Sequence, residues 1–565
     1  MWLSKIEISN FRKISSLTIN FPRGLSVIVG ENNSGKTTVL DALRLMLFPG
    51  RDFNSLRLSE DDFKAGANQT PIELSCTFSN LSSTDEVHFQ ECLVELSEGE
   101  YEMRITSRVE FNANTNRCNV KTWGGETEGG VLPSTFYDYI ATIYLQPLRD
   151  PERGLKPGQN SQISRLINSI AKDNQHQEFV DIAVESNEKI RALNPVIEAK
   201  SDINSQMRAI TGGELTQNTE LIFSDPVFRR IISGLYPQID GLPFTLNGLG
   251  YNNLIYASTT LGTLRRSSHY SYRNILIEEP EAHLHPQLQV LLLRHLTEVT
   301  RDVDNNEVQV IASSHSPILA SQAPIDSIIA LHEIGDVVSA VSVFETNIEP
   351  QMKKKLQRFL DVTRAELFFA RRIIMVEGIA EALLFPVLAE IAGGDLKDSA
   401  VTIVNADGIN FNAFLPLFGE SRINIPLAIV TDGDASRIGE AISATASSLK
   451  AKEQDIPKLT VQMSEITFEH ELARSPEIFI YMVQAFGIMH PVKVTSLQAE
   501  LDEHQSQDEK ADIFLRYFLD TQNTSKGRFS QELAYLLDGA DIQSTSIPQY
   551  IRNVFIHLDV VREGD

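Results

Sequence analysis

The sequence predicts an α/β protein: two α/β modules, with a helical insertion in the first and a helical connection to the second. Three observations point there. An apolar strand passes through a glycine-containing loop into a helix near residue 30. Apolar residues then recur at helical spacing between about 155 and 235. Strand, helix and strand alternate again from about residue 370. A length of 565 residues allows roughly four structural units at about 150 residues each.

Hydrophobic residues at 42% and charged residues at 22% describe an ordinary globular chain and exclude disordered and fibrous classes. The 50 basic and 75 acidic residues leave a net charge of −25. Bulk attraction for polyphosphate is thereby excluded, and any nucleic-acid contact must use local basic patches. Cys76, Cys92 and Cys118 lie far apart without CxxC spacing, so neither a disulfide framework nor a thiolate zinc site is expected. The opening MWLSKIEISNFR alternates like a strand and lacks the features of a signal peptide, and no apolar run approaches the ~18 residues of a membrane span. A soluble, cytoplasmic protein with no membrane association is the expectation.

Along the chain, KIEIS, SLTINF and GLSVIVG read as strands broken by Pro22-Arg23-Gly24, and a helix from about Thr37 is ended by Pro49-Gly50. Residues 70–145 are strand-rich, with ELSCTF, YEMRITSRVEF and ATIYLQ. Ile163, Leu166, Ile167 and Ile170 then fall at i, i+3, i+4 and i+7, and Phe179, Ile182, Ile190 and Leu193 continue more loosely. Strands return at NILIEE and VQVIASS. A basic helix with Lys353, Lys354, Lys355 and Arg358 leads to the strand RRIIMVEG, the helix IAEALLFPVLAEIAG, and the strands VTIVNADG and PLAIVTDGD.

Residues 30–37, GENNSGKT, match GxxxxGK[ST], with SVIVG as the strand before and TTVLDAL as the helix after. Gly30 and Gly35 let the loop close around phosphate, its backbone N–H groups facing the anion. Lys36 reaches the β- and γ-phosphates, and the Thr37 hydroxyl can ligate Mg²⁺. Gly30, Asn32, Asn33, Ser34, Gly35, Lys36, Thr37 and Thr38 are thus the candidate ATP-binding residues. Further on, ILIEEPEAHLHP places Glu278 where a carboxylate holds Mg²⁺ and Glu279 where one orients the hydrolytic water.

With its PEAHLHP tail, this segment resembles the ABC-type ATPases of the structural-maintenance and recombination class. That resemblance implies a γ-phosphate-sensing role for His315 in VIASSHSP and a Q-loop glutamine at Gln146 in IYLQPLRD. LNGLGYNN, with Gly248, Gly250 and Asn253, is the nearest counterpart of the LSGGQ-like loop; its two glycines read as preceding a helix, and the usual serine is missing. Glu278 stands where the family has an aspartate.

In the second module Glu377 ends the strand IIMVE, Gly378 permits a tight turn, and Glu381 follows on the next helix. The strand LAIVT ends in Asp432-Gly433-Asp434. Parallel strands would bring Glu377, Asp432 and Asp434 to one sheet edge, where close carboxylates need cations. Oxygen ligands alone suit Mg²⁺ or Mn²⁺. A glutamate followed by DxD is the Toprim signature of topoisomerases, primases and some nucleases.

Together with LRDPERGLKPGQNSQISRLI, FFARRIIMVEGIAEALLFP, TFEHEL and KGRF, these motifs give a resemblance over nearly the whole chain to the OLD (overcoming lysogenization defect) family of nucleases. The resemblance implies an ABC-type ATPase domain over 1–154 and 236–345, a helical dimerisation insertion over 155–235, a linker helix over 346–369 and a Toprim nuclease domain over 370–565. It implies two-metal DNA cleavage, with Glu377, Glu381, Asp432, Asp434 and Glu469 as metal ligands and Lys526 stabilising charge on the scissile phosphate. ATP and Mg²⁺ (or Mn²⁺) are the implied cofactors. DNA, a homodimer or higher homo-oligomer, and a partner protein in phage defence are the implied partners. Three alternatives stand beside this: a recombination-type ATPase with a non-cleaving Toprim scaffold, a Toprim nuclease acting on RNA, and a topoisomerase, for which no strand-passage domain with its tyrosine is found after residue 350.

Overall fold

The alternation at the N-terminus forms a hairpin in which β1 (Trp2–Phe11) and β2 (Ile14–Asn20) pair antiparallel, setting buried Ile6 against Ile19 and Ile8 against Leu17. Strand β3 (Leu25–Gly30) is buried at all six residues and leads into helix α1 (Lys36–Leu47). Buried Asp41 fixes α1, receiving Arg12 at 2.7 Å and Arg44 at 2.6 Å, while Arg12 also meets Asp62 at 2.9 Å. Strands β4 (Ile72–Ser79), β5 (Leu93–Ser97), β6 (Glu100–Asn112) and β7 (Arg117–Gly124) extend the hairpin into an antiparallel sheet of order β2-β1-β4-β6, with β5 and β7 both pairing β6. This computed structural model describes the chain apart from residues 49–55, 66–69, 131, 134, 147–153, 159–160, 267–268, 302–306, 347, 521–524 and 563–565. The expected helix stop at Pro49-Gly50 and part of the LRDPERGLKPGQN segment lie outside the described residues.

The chain divides into two compact units, one over 133–310 and one formed by 2–132 with 311–565. In the first, β8 (Ile140–Leu145) runs parallel to β9 (Tyr272–Glu278), from Ile140 beside Tyr272 to Leu145 beside Ile277. Helices α2 (Gln162–Ile170), α3 (Asp173–Arg191), α4 (Asn194–Leu215) and α5 (Leu249–Arg266) lie between these strands in sequence, and α6 (Pro286–Val299) follows. Gly250 sits in the first turn of α5 rather than ahead of it. A side chain there would meet the His283 carbonyl at 2.6 Å, so this glycine serves close packing.

In the second unit β10 (Gln309–Ser314), β11 (Ile328–Ile334) and β12 (Val337–Ser342) join β3 in the order β12-β11-β3-β10, with β11 parallel to β3. After α7 (Pro350–Phe359), strands β13 (Arg372–Val376), β14 (Val401–Asn405), β15 (Leu427–Thr431) and β16 (Leu459–Met463) form an all-parallel sheet of order β14-β13-β15-β16. Helices α8 (Ile379–Ile391), α9 (Phe468–Ala473), α10 (Lys526–Leu537) and α11 (Gln549–His557) cover it. Phe385, Phe468, Phe529 and Phe555 share its core with Ile374 and Val430. β13 and β15 are the two central strands, apolar on both faces as a covered parallel sheet requires. Their carboxyl ends are therefore held rigidly. No helix among the described residues is long and apolar enough to cross a membrane.

Candidate functional site

The nucleotide loop follows β3. Gly30 takes φ +154 with the Leu331 carbonyl 2.4 Å from where a Cβ would stand, so the loop can leave the sheet only through glycine. Asn33 adopts φ 65, and Gly35 caps α1. Lys36 is buried, and its ammonium donates to the carbonyls of Gly30 at 2.8 Å and Glu31 at 2.6 Å and to the Ser34 hydroxyl at 3.3 Å. Ser34 and Thr38 are buried beside it; Asn32 and Thr37 are exposed. Lys13 binds the Asn33 carbonyl and pairs with Glu333 at 2.6 Å, tying down the loop tip. The His315 imidazole, just after β10, is pushed down to about 4 by burial and then by the Lys36 charge, so it is neutral at neutral pH.

In the other unit Glu278 ends β9, buried, and accepts the Tyr144 hydroxyl from β8. Glu279 follows with φ 45, a left-handed turn that a non-glycine residue rarely adopts. Gln146, immediately after β8, is exposed.

The second site lies at the carboxyl edge of the parallel sheet. Glu377 follows β13 and accepts the Thr431 hydroxyl and, at 2.9 Å, the Asp432 backbone N–H from the end of β15. The Asp432 carboxylate accepts the Ser464 hydroxyl at 3.0 Å and the Phe468 N–H at 2.8 Å. Buried Glu469, in the first turn of α9, pairs with Lys526 of α10 at 3.1 Å. Glu381 is buried on α8. Burial, then Glu377, Glu469 and Glu381, push the Asp432 carboxyl up to about 7. Burial likewise raises Glu381, with Glu469 and Glu377 adding to it. Four acids thus share one field, partly offset by Lys526.

Among the described residues no group of three or more His, Cys, Asp or Glu forms a ready ligand set. Glu377, Asp432 and Glu469 are each held by local donors, which spreads mutually repelling charges. Asp434 departs furthest, exposed and turned by φ 53. Gly378, in turn, has an extended backbone, and a side chain there would stand 3.3 Å from the Glu381 carboxylate; it provides room rather than a turn. The oxygen-only donors and their uncompensated charge fit a hard divalent ion.

A family model described as AAA ATPase domain matches residues 1–122 and 130–320, more than half of the chain, and one described as overcoming lysogenization defect protein-like TOPRIM domain matches 368–434. The chain belongs to the OLD family, an AAA ATPase domain followed by an OLD-like Toprim domain. Among OLD relatives, a protein of Thermus scotoductus named OLD nuclease is 24% identical over 470 residues, covering 78% of this chain and 83% of its own. A Bacillus cereus (strain VD045) protein named endonuclease GajA is 22% identical over 460 residues, covering 77% of this chain and 75% of its own. The solved C-terminal region of the Burkholderia pseudomallei OLD protein aligns with 34% of this chain and 98% of its own at 23% identity and a TM-score of 0.28.

Thr431 and Ser464 were not foreseen from the sequence. Thr431 sits directly before the DGD motif, where strand alternation turns a side chain toward its neighbour; Ser464 has no local signal.

Proposed function

We propose that this chain is an ATP-regulated, divalent-metal-dependent endonuclease acting on DNA. The observation that carries this reading is the buried carboxylate cluster at the ends of two adjacent central strands, with Asp432 pushed up to about 7 by burial and then by its neighbours. Glu377, Glu381, Asp432 and Glu469 would hold Mg²⁺ or Mn²⁺, with Asp434 available at the rim; when bound, such ions would supply water activation and leaving-group stabilisation for two-metal phosphodiester hydrolysis. Glu377 and Asp432 are oriented by Thr431, Ser464 and the Phe468 N–H, so their oxygens are fixed before substrate arrives. Lys526 shields Glu469 and offers a cation to the phosphate.

In the ATPase part, Gly30, Asn32, Asn33, Ser34, Gly35 and Thr38 would cradle the phosphates. Lys36 would exchange its carbonyl partners for them, Thr37 and Glu278 would serve Mg²⁺, and Glu279 would orient water. Gln146 and His315 would read the γ-phosphate. The same reading assigns 1–154 and 236–345 to the ATPase, 155–235 to dimerisation, 346–369 to a linker helix and 370–565 to the nuclease. A homodimer is supported by the uncovered apolar side chains of α3 and α4, such as Ile182 at 63% and Ile210 at 78% exposure. Phage defence with a partner protein completes the proposal on family resemblance.

The test is a plasmid assay in Mg²⁺ or Mn²⁺, with and without ATP, using wild type, Glu377→Ala and Lys36→Ala. Nicked or linear product from wild type and none from Glu377→Ala is expected. Intact plasmid under all ions overturns the nuclease reading in favour of a scaffold, relaxed closed product points to a topoisomerase, and preferential cutting of RNA changes the substrate.

A further inference from the structure

Strands β8 and β9 run parallel in a register that sets Thr142 beside Asn274 and Tyr144 beside Leu276. Side chains alternate along a strand, so Tyr144 shares a sheet face with Leu276 and with Glu278, two residues further on. The Tyr144 hydroxyl reaches across that diagonal and donates to Oε2 of the Glu278 carboxylate.

The backbone alone does not orient this carboxylate. The ladder with β8 runs as far as Ile277. At Glu279 the chain enters a left-handed turn, φ 45, in which the Ala282 N–H donates to the Glu279 carbonyl at 3.0 Å. Ladder and turn fix the main chain of Glu278 and leave its side-chain torsions open. A glutamate has one torsion more to settle than an aspartate in the same place. Glu278 is only 7% exposed, and a buried carboxylate needs a donor. The hydroxyl supplies one from the neighbouring strand, and by holding Oε2 it also settles where Oε1 points. Phenylalanine would fill the same half-buried position without doing either.

We propose that Tyr144 is a positioning residue for ATP hydrolysis: by holding Oε2, its hydroxyl aims the Glu278 carboxylate that would serve Mg²⁺. This rests on the ATPase reading above.

The experiment measures ATP binding by calorimetry, in EDTA and in Mg²⁺, and phosphate release, for full-length wild type and Tyr144→Phe. Expected are an unchanged affinity in EDTA, an affinity in Mg²⁺ weaker by about tenfold, and a kcat lower by about 10- to 100-fold. In a Glu278→Ala background, Tyr144→Phe should alter binding no further, because no carboxylate remains to be aimed. Equal affinity in Mg²⁺ or equal kcat overturns the proposal. So does a loss of affinity in EDTA as well, with a lower melting temperature, which would make the hydroxyl structural. A loss that persists in the Glu278→Ala background overturns it too, since Tyr144 would then act on another group. Should wild type bind ATP without hydrolysing it, the hydrolysis reading falls, and affinity in Mg²⁺ against EDTA decides about Tyr144. Should it bind no ATP, both fall.

Discussion

Arg371 holds Glu31 of the nucleotide loop, Nε to carboxylate, at 2.7 Å. One partner lies directly before β13 of the Toprim sheet and the other directly after Gly30. The arginine side chain is 60% exposed, so the pair contributes less than about 1 kcal/mol and is readily broken. Arg371→Ala is expected to leave melting and nucleotide affinity nearly unchanged while shrinking the difference in cleavage rate between ATP-bound and ATP-free protein. An ATP effect as large as in wild type would show that the two parts communicate by another route.

Lys36 has three partners within its own loop, so the loop's carbonyls are already gathered around a cation. Lys36→Ala should abolish ATP hydrolysis and weaken ATP binding, measured by phosphate release and calorimetry, while metal-dependent cutting persists.

Replacing Glu377 or Asp432 by Ala should reduce cutting by more than the roughly 10- to 100-fold expected on losing an orienting partner, whereas Thr431→Val should fall within that range. Plasmid cutting rates at saturating metal rank the three, and a Thr431→Val loss matching Glu377→Ala would contradict the order.

Folding raises the Asp432 carboxyl from 3.8 to about 7, so folding favours its protonated form. That contribution to stability is whole below about pH 4 and is lost as pH rises through 7. In EDTA, wild type should melt at a lower temperature at pH 8 than at pH 6. Asp432→Asn should flatten that slope and melt several degrees higher at pH 8. Mg²⁺ added near pH 6.5 should release protons, detectable by calorimetry in buffers of different ionisation enthalpy.

Gly433 approaches the Ser464 carbonyl so closely that an added Cβ would stand 2.3 Å from it, and 2.6 Å from that of Glu465. Gly433→Ala should cost about 1–3 kcal/mol in denaturant unfolding and move the segment that holds Asp432. Unchanged unfolding would mean that this segment yields without cost.

Salt should weaken DNA binding only with a shallow slope, because few cations in this acidic chain are available to phosphate and few counterions are released on binding. The basic stretch on α7 offers less than its sequence suggests, since Lys353 is already paired with Asp326 at 2.5 Å.

The parts legible in the sequence are those written in adjacent residues: GENNSGKT between a strand and a helix, and acids closing the strands IIMVE and LAIVT. Strand β16 escaped notice because LTVQM is short and mixes polar residues into an apolar run, and β7 because most of RCNVKTWG is exposed or partly exposed. Simple alternation places Asp432 and Asp434 alike; the structure separates them because the chain turns at Gly433 and enters the left-handed region at Asp434. The Arg371–Glu31 pair spans 340 positions and so leaves no local trace.

Strand β13 has the nucleotide loop's arginine at its start and Glu377 at its end, and it is hydrogen-bonded on both sides within the sheet. From Arg371 to Glu377 the extended chain spans about 20 Å at 3.3 Å per residue, and a strand laddered on both edges resists bending. It would act as a push-rod: travel of the sheet at Arg371 would be passed on to the acids at its far end. If the acids hold two ions as proposed, chemistry there would tolerate little misplacement, and so small a stroke would suffice to throw the site in or out of gear.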